Sequence, residues 1–297
     1  MNWSGVLPAI TTEFREDGSV DHEAVARHTR WMIVSGCAGV VTCGSLGESA
    51  TLSFDEKVAL FETCAGVPSG GAPVVAGIAA LSTAEAVLLA QRAANAGCAG
   101  LMVLPPYVYS SDWREMKAHV AAVIAATPLP CMLYNNPPAY RTDFLPAHIA
   151  ELAGEHANLE SVKESSGDAR RITAIRHEVG ARLQVLVGLD DCVVEGVAAG
   201  ASGWIAGLAN AFPLESVALF HAAATGNWAH ADALYRWFLP LLSLDADPKF
   251  VQYIKWVQAE MGHGSPRVRA PRLPLTGADL ARARSGLAGA MADRPRV

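Results

Sequence analysis

The chain has 297 residues, of which 51% are hydrophobic and 18% are charged. This composition supports a large buried core and excludes intrinsic disorder, which needs low hydrophobicity and high net charge. The formal charge is −6 and the basic residues form no cluster, so we expect neither nucleic acid nor a membrane surface as a partner. No apolar run reaches the length of a membrane span.

Eight short β-rich runs recur along the chain, and amphipathic stretches with helical spacing separate them. The runs lack polar–apolar alternation, which is typical of parallel strands covered on both faces. The predicted strands are 5–10, 39–43, 73–78, 100–104, 130–134, 159–163, 184–187 and 203–206. Two clear helical stretches between them are 84–96 and 113–126.

Eight strand–helix units within about 210 residues favour a (β/α)8 TIM barrel over a doubly wound sheet. The strand signal stops near residue 213, and the remaining segments are helical. We therefore predict a barrel domain over residues 1–213 that carries the active site. Residues 214–297 are predicted to form a C-terminal helical appendage packed on it, with helices at 214–224, 228–242, 248–261 and 280–292.

Six scattered cysteines form no Cys-x-x-Cys pair, and the first residues lack the layout of a signal peptide. Both features predict a cytoplasmic protein in a reducing compartment.

Lys163 ends the predicted sixth strand, at the edge of a TIM barrel where active sites lie. The other four lysines fall in helical patterns, where a solvated face is the ordinary interpretation. A lysine in a barrel mouth is partly desolvated, which lowers its pKa and lets the neutral amine attack a carbonyl. The alternative, an ion pair with Glu164, is equally compatible with the position.

Tyr134 ends the predicted fifth strand and faces the same mouth, where a phenol could transfer protons to a substrate. A tyrosine that only caps the core is the commoner case. After the second strand, the turn 44–49 carries two glycines and Ser45, which can present backbone N–H groups and a hydroxyl to an anion. An ordinary strand–helix turn has the same appearance. The turn has no Walker lysine, so no nucleotide is expected.

These three strand ends supply an amine nucleophile, a phenolic acid or base, and an anion cradle, which suit Schiff-base chemistry on a 2-oxo acid. Further motifs extend over nearly the whole length, and with them the chain resembles the dihydrodipicolinate synthase/N-acetylneuraminate lyase superfamily of class I aldolases and lyases. The motifs lie at 5–10, 17–21, 44–49, 105–107, 134–137, 162–168, 188–191 and 272–275.

The resemblance implies a TIM barrel with a C-terminal helical region, assembled as a homotetramer, a dimer of dimers. It implies that Lys163 is the Schiff-base lysine and Tyr134 the proton-transfer residue. It also implies that Ser45 and the backbone of Leu46 bind the substrate carboxylate. The resemblance also implies that Gly188 and Ile205 match positions that line the pocket near the bound carbonyl carbon.

Three departures from the synthase pattern bear on the substrate. Ser45 and Leu46 stand where the synthases usually carry two successive threonines. Val108 stands where the synthases carry a relay tyrosine that reaches a neighbouring subunit, and Tyr109 could replace it only if the loop shifts. Arg141 lies four residues after Pro137, whereas the synthase arginine lies two residues after that proline. Arg141 could bind a distal carboxylate of the substrate or could be an ordinary rim arginine.

The first hypothesis is therefore a Schiff-base lyase acting on a 2-keto-3-deoxy acid or on a cyclic imino acid opened by deamination and dehydration. A synthase that condenses pyruvate with an aldehyde, as 4-hydroxy-tetrahydrodipicolinate synthase does, is the second. A non-enzymatic barrel that binds a small acid is the third, and the presence of both Lys163 and Tyr134 disfavours it.

No cofactor and no metal ion are expected, because the histidines form no metal-binding spacing. Asp190 and Asp191 are interpreted as helix N-terminal acids, and Asp247 as the N-cap of the helix 248–261.

Overall fold

The computed structural model describes residues 1–68, 70–106 and 112–297. Eight parallel strands follow one another in the order of the sequence around a barrel. A backbone bridge between Ala9 and Val41 closes the barrel between the first and second strands. The strands are β1 (Gly5–Pro8), β2 (Val40–Thr42), β3 (Val74–Ile78), β4 (Gly100–Val103), β5 (Cys131–Asn135), β6 (Leu159–Glu164), β7 (Gln184–Val187) and β8 (Gly203–Ala206). The predicted TIM barrel is confirmed.

Helices connect successive strands and cover the outside of the barrel. Several begin at a polar side chain that caps the free N–H groups of the first turn, as Asp21, Ser82 and Asp112 do. The helices up to the last strand are α1 (His22–Val34), α2 (Phe54–Ala65), α3 (Thr83–Asn95), α4 (Trp113–Ala125), α5 (Pro137–Tyr140), α6 (Pro146–Glu155), α7 (Arg170–Val179) and α8 (Val193–Ala198). No helix in the described ranges is long and apolar enough to cross a membrane.

Consecutive strand residues point to opposite faces, and the core divides accordingly into two layers. One set of side chains packs between strands and helices, for example Leu133 and Val185. The alternate set fills the barrel interior; it includes Leu7, Val41, Val75, Met102, Met132, Leu186 and Ile205. Both faces of each strand are thus apolar, which explains the unalternating runs in the sequence.

Four helices follow the last strand: α9 (Pro213–Ala224), α10 (Trp228–Leu242), α11 (Phe250–Glu260) and α12 (Gly277–Ala292). Helix α9 packs against β1 and β8 and so takes the place of the eighth barrel helix. The division of the chain after residue 213 stays a prediction.

The predicted start of the third of these helices was wrong by two residues. Helix α11 begins at Phe250, and its N-cap is Lys249 rather than Asp247. The Asp247 carboxylate instead accepts a hydrogen bond from the Lys249 N–H at 2.8 Å and pairs with Arg282 at 2.7 Å. These bonds hold a turn before the helix, which keeps the segment 245–248 at the mouth of the barrel.

Candidate active site

A cavity of about 590 Å³ opens at the carboxyl ends of the strands. This volume lies in the range of small-molecule sites, and the position is where TIM-barrel enzymes place their chemistry. Six of the seven residues predicted for the site line this one cavity: Ser45, Leu46, Tyr134, Lys163, Gly188 and Ile205.

Lys163 and Tyr134 are direct neighbours across the sheet. They are register partners in the β5–β6 ladder, and both belong to the set of side chains that points into the barrel. The Lys163 Nζ lies 4.2 Å from the centroid of the Tyr134 ring, and both side chains are buried. An amine and a phenol are therefore held together at the floor of the cavity.

The ion pair between Lys163 and Glu164 does not form, because adjacent strand residues point to opposite faces. Glu164 points away from the interior and accepts hydrogen bonds from Asn135 Nδ2 at 2.9 Å and from the Ser166 N–H at 2.6 Å. Burial raises the pKa of its carboxyl. Among the described residues no hydrogen bond or ion pair engages the Lys163 amine, which leaves it open toward the cavity.

The turn after β2 presents backbone to the cavity. The backbone N–H groups of Ser45 and Leu46 donate no hydrogen bond to any residue in the described ranges, so both donors are available to a ligand. The close approach of Gly77 fixes the start of this turn, since a Cβ there would lie 2.5 Å from the Cys43 carbonyl oxygen. The arrangement suits a carboxylate, which accepts hydrogen bonds from adjacent backbone donors.

A fully buried ion pair between Glu48 and Lys255 holds the C-terminal part of the same turn in place. Glu48 has a φ of 56° and accepts from Lys255 Nζ at 3.1 Å and from the Arg269 N–H at 3.0 Å. Lys255 also donates to the Thr12 carbonyl at 2.7 Å. The turn is thus tied to helix α11 and to the segment before α12.

The interpretation of the helical lysines as solvated was wrong for two of them. Lys255 is completely buried by its pairing with Glu48, and burial lowers the pKa of its amine. Lys57 is also buried, and its Nζ donates to the Ala79 carbonyl at 2.8 Å. Both are structural supports beneath the strand ends, since each satisfies buried oxygen atoms.

Tyr140, on the short helix α5, is a cavity residue that the sequence analysis missed. Its hydroxyl is hydrogen-bonded to the Ser45 Oγ, and its ring meets the Tyr134 ring edge-on at 5.8 Å between centroids. The Tyr134 hydroxyl in turn accepts a hydrogen bond from Asn136 Nδ2 at 2.9 Å. The only available signal was its place three residues after the Asn-x-Pro turn.

Asp190 lies with Asp191 in the first turn of the short 3-10 helix 190–192, as predicted for helix N-terminal acids, but it also makes contacts beyond that turn. Its buried carboxylate accepts from Trp204 Nε1 at 2.9 Å and from the N–H groups of Gly207, at 2.9 Å, and Leu208, at 2.6 Å. Burial raises the pKa of this carboxyl to about 6, although these donors oppose the shift. Asp190 therefore braces the end of β8 against that of β7.

Gly188 lies directly against the candidate nucleophile. A Cβ at this position would stand 2.9 Å from Lys163 Cε and 1.9 Å from Ser165 Oγ. Ile205, on the neighbouring strand β8, is buried in the barrel interior and lines the same cavity. The glycine makes room for the lysine side chain and for any group attached to it.

Arg141 is the seventh predicted residue, and it is exposed at the left-handed C-terminus of α5, with a φ of 58°. It is not among the described residues that line the cavity, whereas Arg272 is. Arg272 Nη1 lies 3.6 Å from the Glu48 carboxylate. The hypothesis about Val108 and Tyr109 falls outside the residues that the structure describes.

Together, the geometry defines a (β/α)8-barrel protein with a buried amine, a phenol and free backbone donors around one cavity. The model of the dihydrodipicolinate synthetase family matches residues 2–287. The chain is 34% identical over 269 residues to 4-hydroxy-tetrahydrodipicolinate synthase of Agrobacterium fabrum, covering 91% of this chain and 92% of the relative. It is 32% identical to the protein of that name from Methanothrix thermoacetophila, covering 95% of both chains.

Solved structures give the same result. The 4-hydroxy-tetrahydrodipicolinate synthase of Methylacidiphilum fumariolicum superposes with a TM-score of 0.93 at 26% identity, over 98% of this chain and 97% of the other. YagE, a prophage protein of the same family from E. coli K12 solved in complex with pyruvate, gives 0.91 at 26% identity, over 98% and 99%. The chain belongs to the dihydrodipicolinate synthetase family and is a lyase of that family.

Proposed function

We propose that this protein is a class I lyase that forms a Schiff base between Lys163 and the C2 carbonyl of a 2-oxo acid. The observation that carries the proposal is the buried Lys163 amine, which lies 4.2 Å from the Tyr134 ring, opens to a cavity and has no ion-pair partner within residues 1–68, 70–106 and 112–297. A lysine amine is the nucleophile that forms an imine with the carbonyl of such a substrate. No metal ion or cofactor is part of the proposal.

Each candidate residue has a distinct task in this reaction. The N–H groups of Ser45 and Leu46 bind the C1 carboxylate, which directs C2 toward the lysine. Lys163 attacks C2, and loss of water gives a protonated imine. The imine withdraws electrons, so that a C3 proton can leave or a C3–C4 bond can break to give an enamine. Tyr134 transfers the proton that leaves from or returns to the reacting substrate carbon.

The substrate proposed first is a 2-keto-3-deoxy acid, or a related hydroxylated pyrroline carboxylate. The position of Arg141 supports this choice over the synthase reaction. Arg141 is exposed on the rim, after a turn two residues longer than that of the synthases, and it does not reach the cavity lining of the described chain. A substrate whose distal end is a hydroxylated carbon needs no arginine there.

The second candidate is a synthase that condenses pyruvate with an aldehyde. The relatives at 31–34% identity carry the name 4-hydroxy-tetrahydrodipicolinate synthase, which supports this reaction. Both candidates begin with the same imine of a 2-oxo acid. They differ in whether the enamine attacks an added aldehyde or arises from a larger substrate.

Turnover of a substrate panel tests the proposal. The purified protein is given 2-keto-3-deoxy acids, hydroxylated pyrroline carboxylates, and pyruvate with aspartate semialdehyde, and products are identified by NMR. We expect turnover in the first two groups and none with Lys163→Arg, since a guanidinium forms no imine under these conditions. Lys117→Arg is the matched control, because Lys117 lies on the surface and pairs with Glu151. Full activity of Lys163→Arg would refute the mechanism.

A homotetramer in the cytoplasm belongs to the same proposal. Large apolar side chains that a single subunit leaves exposed support self-association; they include Leu81, Leu88 and Leu273, at 70%, 53% and 75% exposure. Sedimentation velocity at micromolar concentration measures the oligomeric state. A monomer would refute the proposed homotetramer, but it would not affect the proposed chemistry of Lys163.

A further inference from the structure

A second carboxyl lies beside Asp190 at the wall of the cavity. Asp245, just after α10, lines the cavity and is half-buried. It presses against the end of β8, since a Cβ on Gly207 would lie 2.4 Å from its Oδ1. Its Oδ2 faces the Asp190 N–H at 3.4 Å. Neither the imine nor the proton transfer by Tyr134 uses this group.

The two carboxyls have unequal surroundings. Asp190 accepts short hydrogen bonds from one indole and two backbone donors, which stabilise its ionised form. In the part of the chain that the structure describes, a single long hydrogen bond reaches the Asp245 carboxyl. Burial and the neighbouring Asp190 raise the pKa of Asp245 well above its ordinary value, against the opposing charge of Lys163. When the pair shares one proton, that proton resides on Asp245.

From this arrangement we propose that Asp245 is a second acid of the active site, which donates a proton to a hydroxyl leaving from C4 of the Lys163-bound substrate. The inference rests on the proposed function and names its substrate class, 2-oxo acids or their cyclic imines with a hydroxyl on C4. Asp245 lines the same cavity as Lys163 and Tyr134. Tyr134 then acts at C3 and Asp245 at C4.

The elimination is balanced without any further reactant. Tyr134 takes the C3 proton, and its electron pair forms the enamine. The enamine pair then forms the C3–C4 double bond as the C4–O bond breaks, and the oxygen takes the Asp245 proton and leaves as water. Hydrolysis of the imine frees Lys163 and releases a 2-oxo-3-enoic acid. The C3 proton returns from Tyr134 to Asp245, which restores both groups.

The test compares two leaving groups in the full-length protein, with 4-hydroxy-2-oxopentanoate and 4-fluoro-2-oxopentanoate as probes. Release of water needs a proton donor, whereas release of fluoride needs none. We expect Asp245→Asn to slow elimination from the hydroxy probe by about 10²–10⁴-fold and to leave elimination from the fluoro probe within a few-fold of wild type. Asp191→Asn is the control. Asp191 follows Asp190 in the sequence but does not line the cavity, so this change should leave both rates unchanged.

Thermal unfolding and exchange of the pyruvate methyl protons in D2O show whether the variant is folded and still forms the enamine. Equal slowing with both probes would assign Asp245 a merely structural role and overturn the inference. So would an unslowed hydroxy probe, or cleavage of that probe by the wild type to pyruvate and acetaldehyde without enoate. Absence of any Lys163 adduct in the wild type would instead refute the proposed function itself.

Discussion

The Lys163 amine lies 4.2 Å from the centre of the Tyr134 ring, and the two residues are register partners on neighbouring strands. Backbone pairing therefore fixes their separation, and no loop has to close to bring them together. A nucleophile and a proton carrier on rigid strands keep their geometry through the reaction, which limits the cost of positioning. The chemistry proposed for this barrel depends on that pair.

Tyr134→Phe separates imine formation from proton transfer. The variant keeps the ring beside Lys163 and loses the hydroxyl that accepts from Asn136. We expect borohydride to trap pyruvate on the variant, while turnover falls by about 10²–10⁴-fold. Parallel trapping and steady-state assays measure both. A wild-type turnover rate would remove Tyr134 from the proton-transfer step.

Gly188→Ala tests whether the cavity needs the space beside the lysine. The new methyl group would stand 2.9 Å from Lys163 Cε and closer still to Ser165 Oγ, so the lysine must move. We expect slower imine formation with pyruvate, measured by trapping at timed intervals. Gly154→Ala is the control, because nothing lies within 4 Å of that added methyl group. Trapping at the same rate in both variants would show that Gly188 has no such role.

Lys255→Met should destabilise the fold strongly, because it removes the nearest cation from the buried Glu48 carboxylate and leaves only the longer contact with Arg272, at 3.6 Å. Removing one partner of a buried ion pair costs about 3–5 kcal/mol, which chemical denaturation would measure as a lower free energy of unfolding. The double variant Lys255→Met/Glu48→Gln should recover part of that loss, since the buried charge is gone.

The exposed pair of Arg236 and Asp232 gives the comparison for this measurement. Arg236→Met should cost less than about 1 kcal/mol, because solvent screens surface ion pairs. Equal losses for Lys255→Met and Arg236→Met would contradict the assignment of Lys255 as a buried support.

The buried side chain of His28 should make the folded protein less stable in mild acid. Burial, and to a lesser degree His263, lowers the pKa of this histidine to about 4, and its Nε2 donates to Asn210 Oδ1 at 2.7 Å. The unfolded chain binds the proton near pH 6.5 and the folded chain only near pH 4. Folding is therefore weakened by about 3 kcal/mol as the pH falls through this window.

Denaturation of the wild type and of His28→Gln between pH 7 and pH 4 measures that contribution. The wild type should lose more stability than the variant over this interval. Parallel pH profiles for the two proteins would contradict the assignment.

The strands were predictable because each is apolar on both faces, and the last two, 184–187 and 203–206, have the predicted bounds. The cavity residues on strand ends were predictable for the same reason, since the barrel topology brings Lys163 and Tyr134 to one edge. Local pattern and topology were sufficient for these positions.

The remaining features depend on contacts between distant segments. Lys255 follows a helical pattern, and only the fold shows that it meets Glu48, 207 residues away along the chain. Asp190 precedes a helix, yet the β8 end supplies donors that compete successfully for its carboxylate. Tyr140 and Asp245 lie in segments without strand character, and sequence spacing alone does not place such side chains in a cavity.

Borohydride reduction in the presence of pyruvate, followed by peptide mass spectrometry, tests the central proposal most directly. The reduced imine is a stable covalent mark on the amine that formed it. We expect one pyruvate-derived adduct per chain, on the peptide that contains Lys163, and none in Lys163→Arg. An adduct on another lysine, or no adduct at saturating pyruvate, would contradict the Schiff-base mechanism.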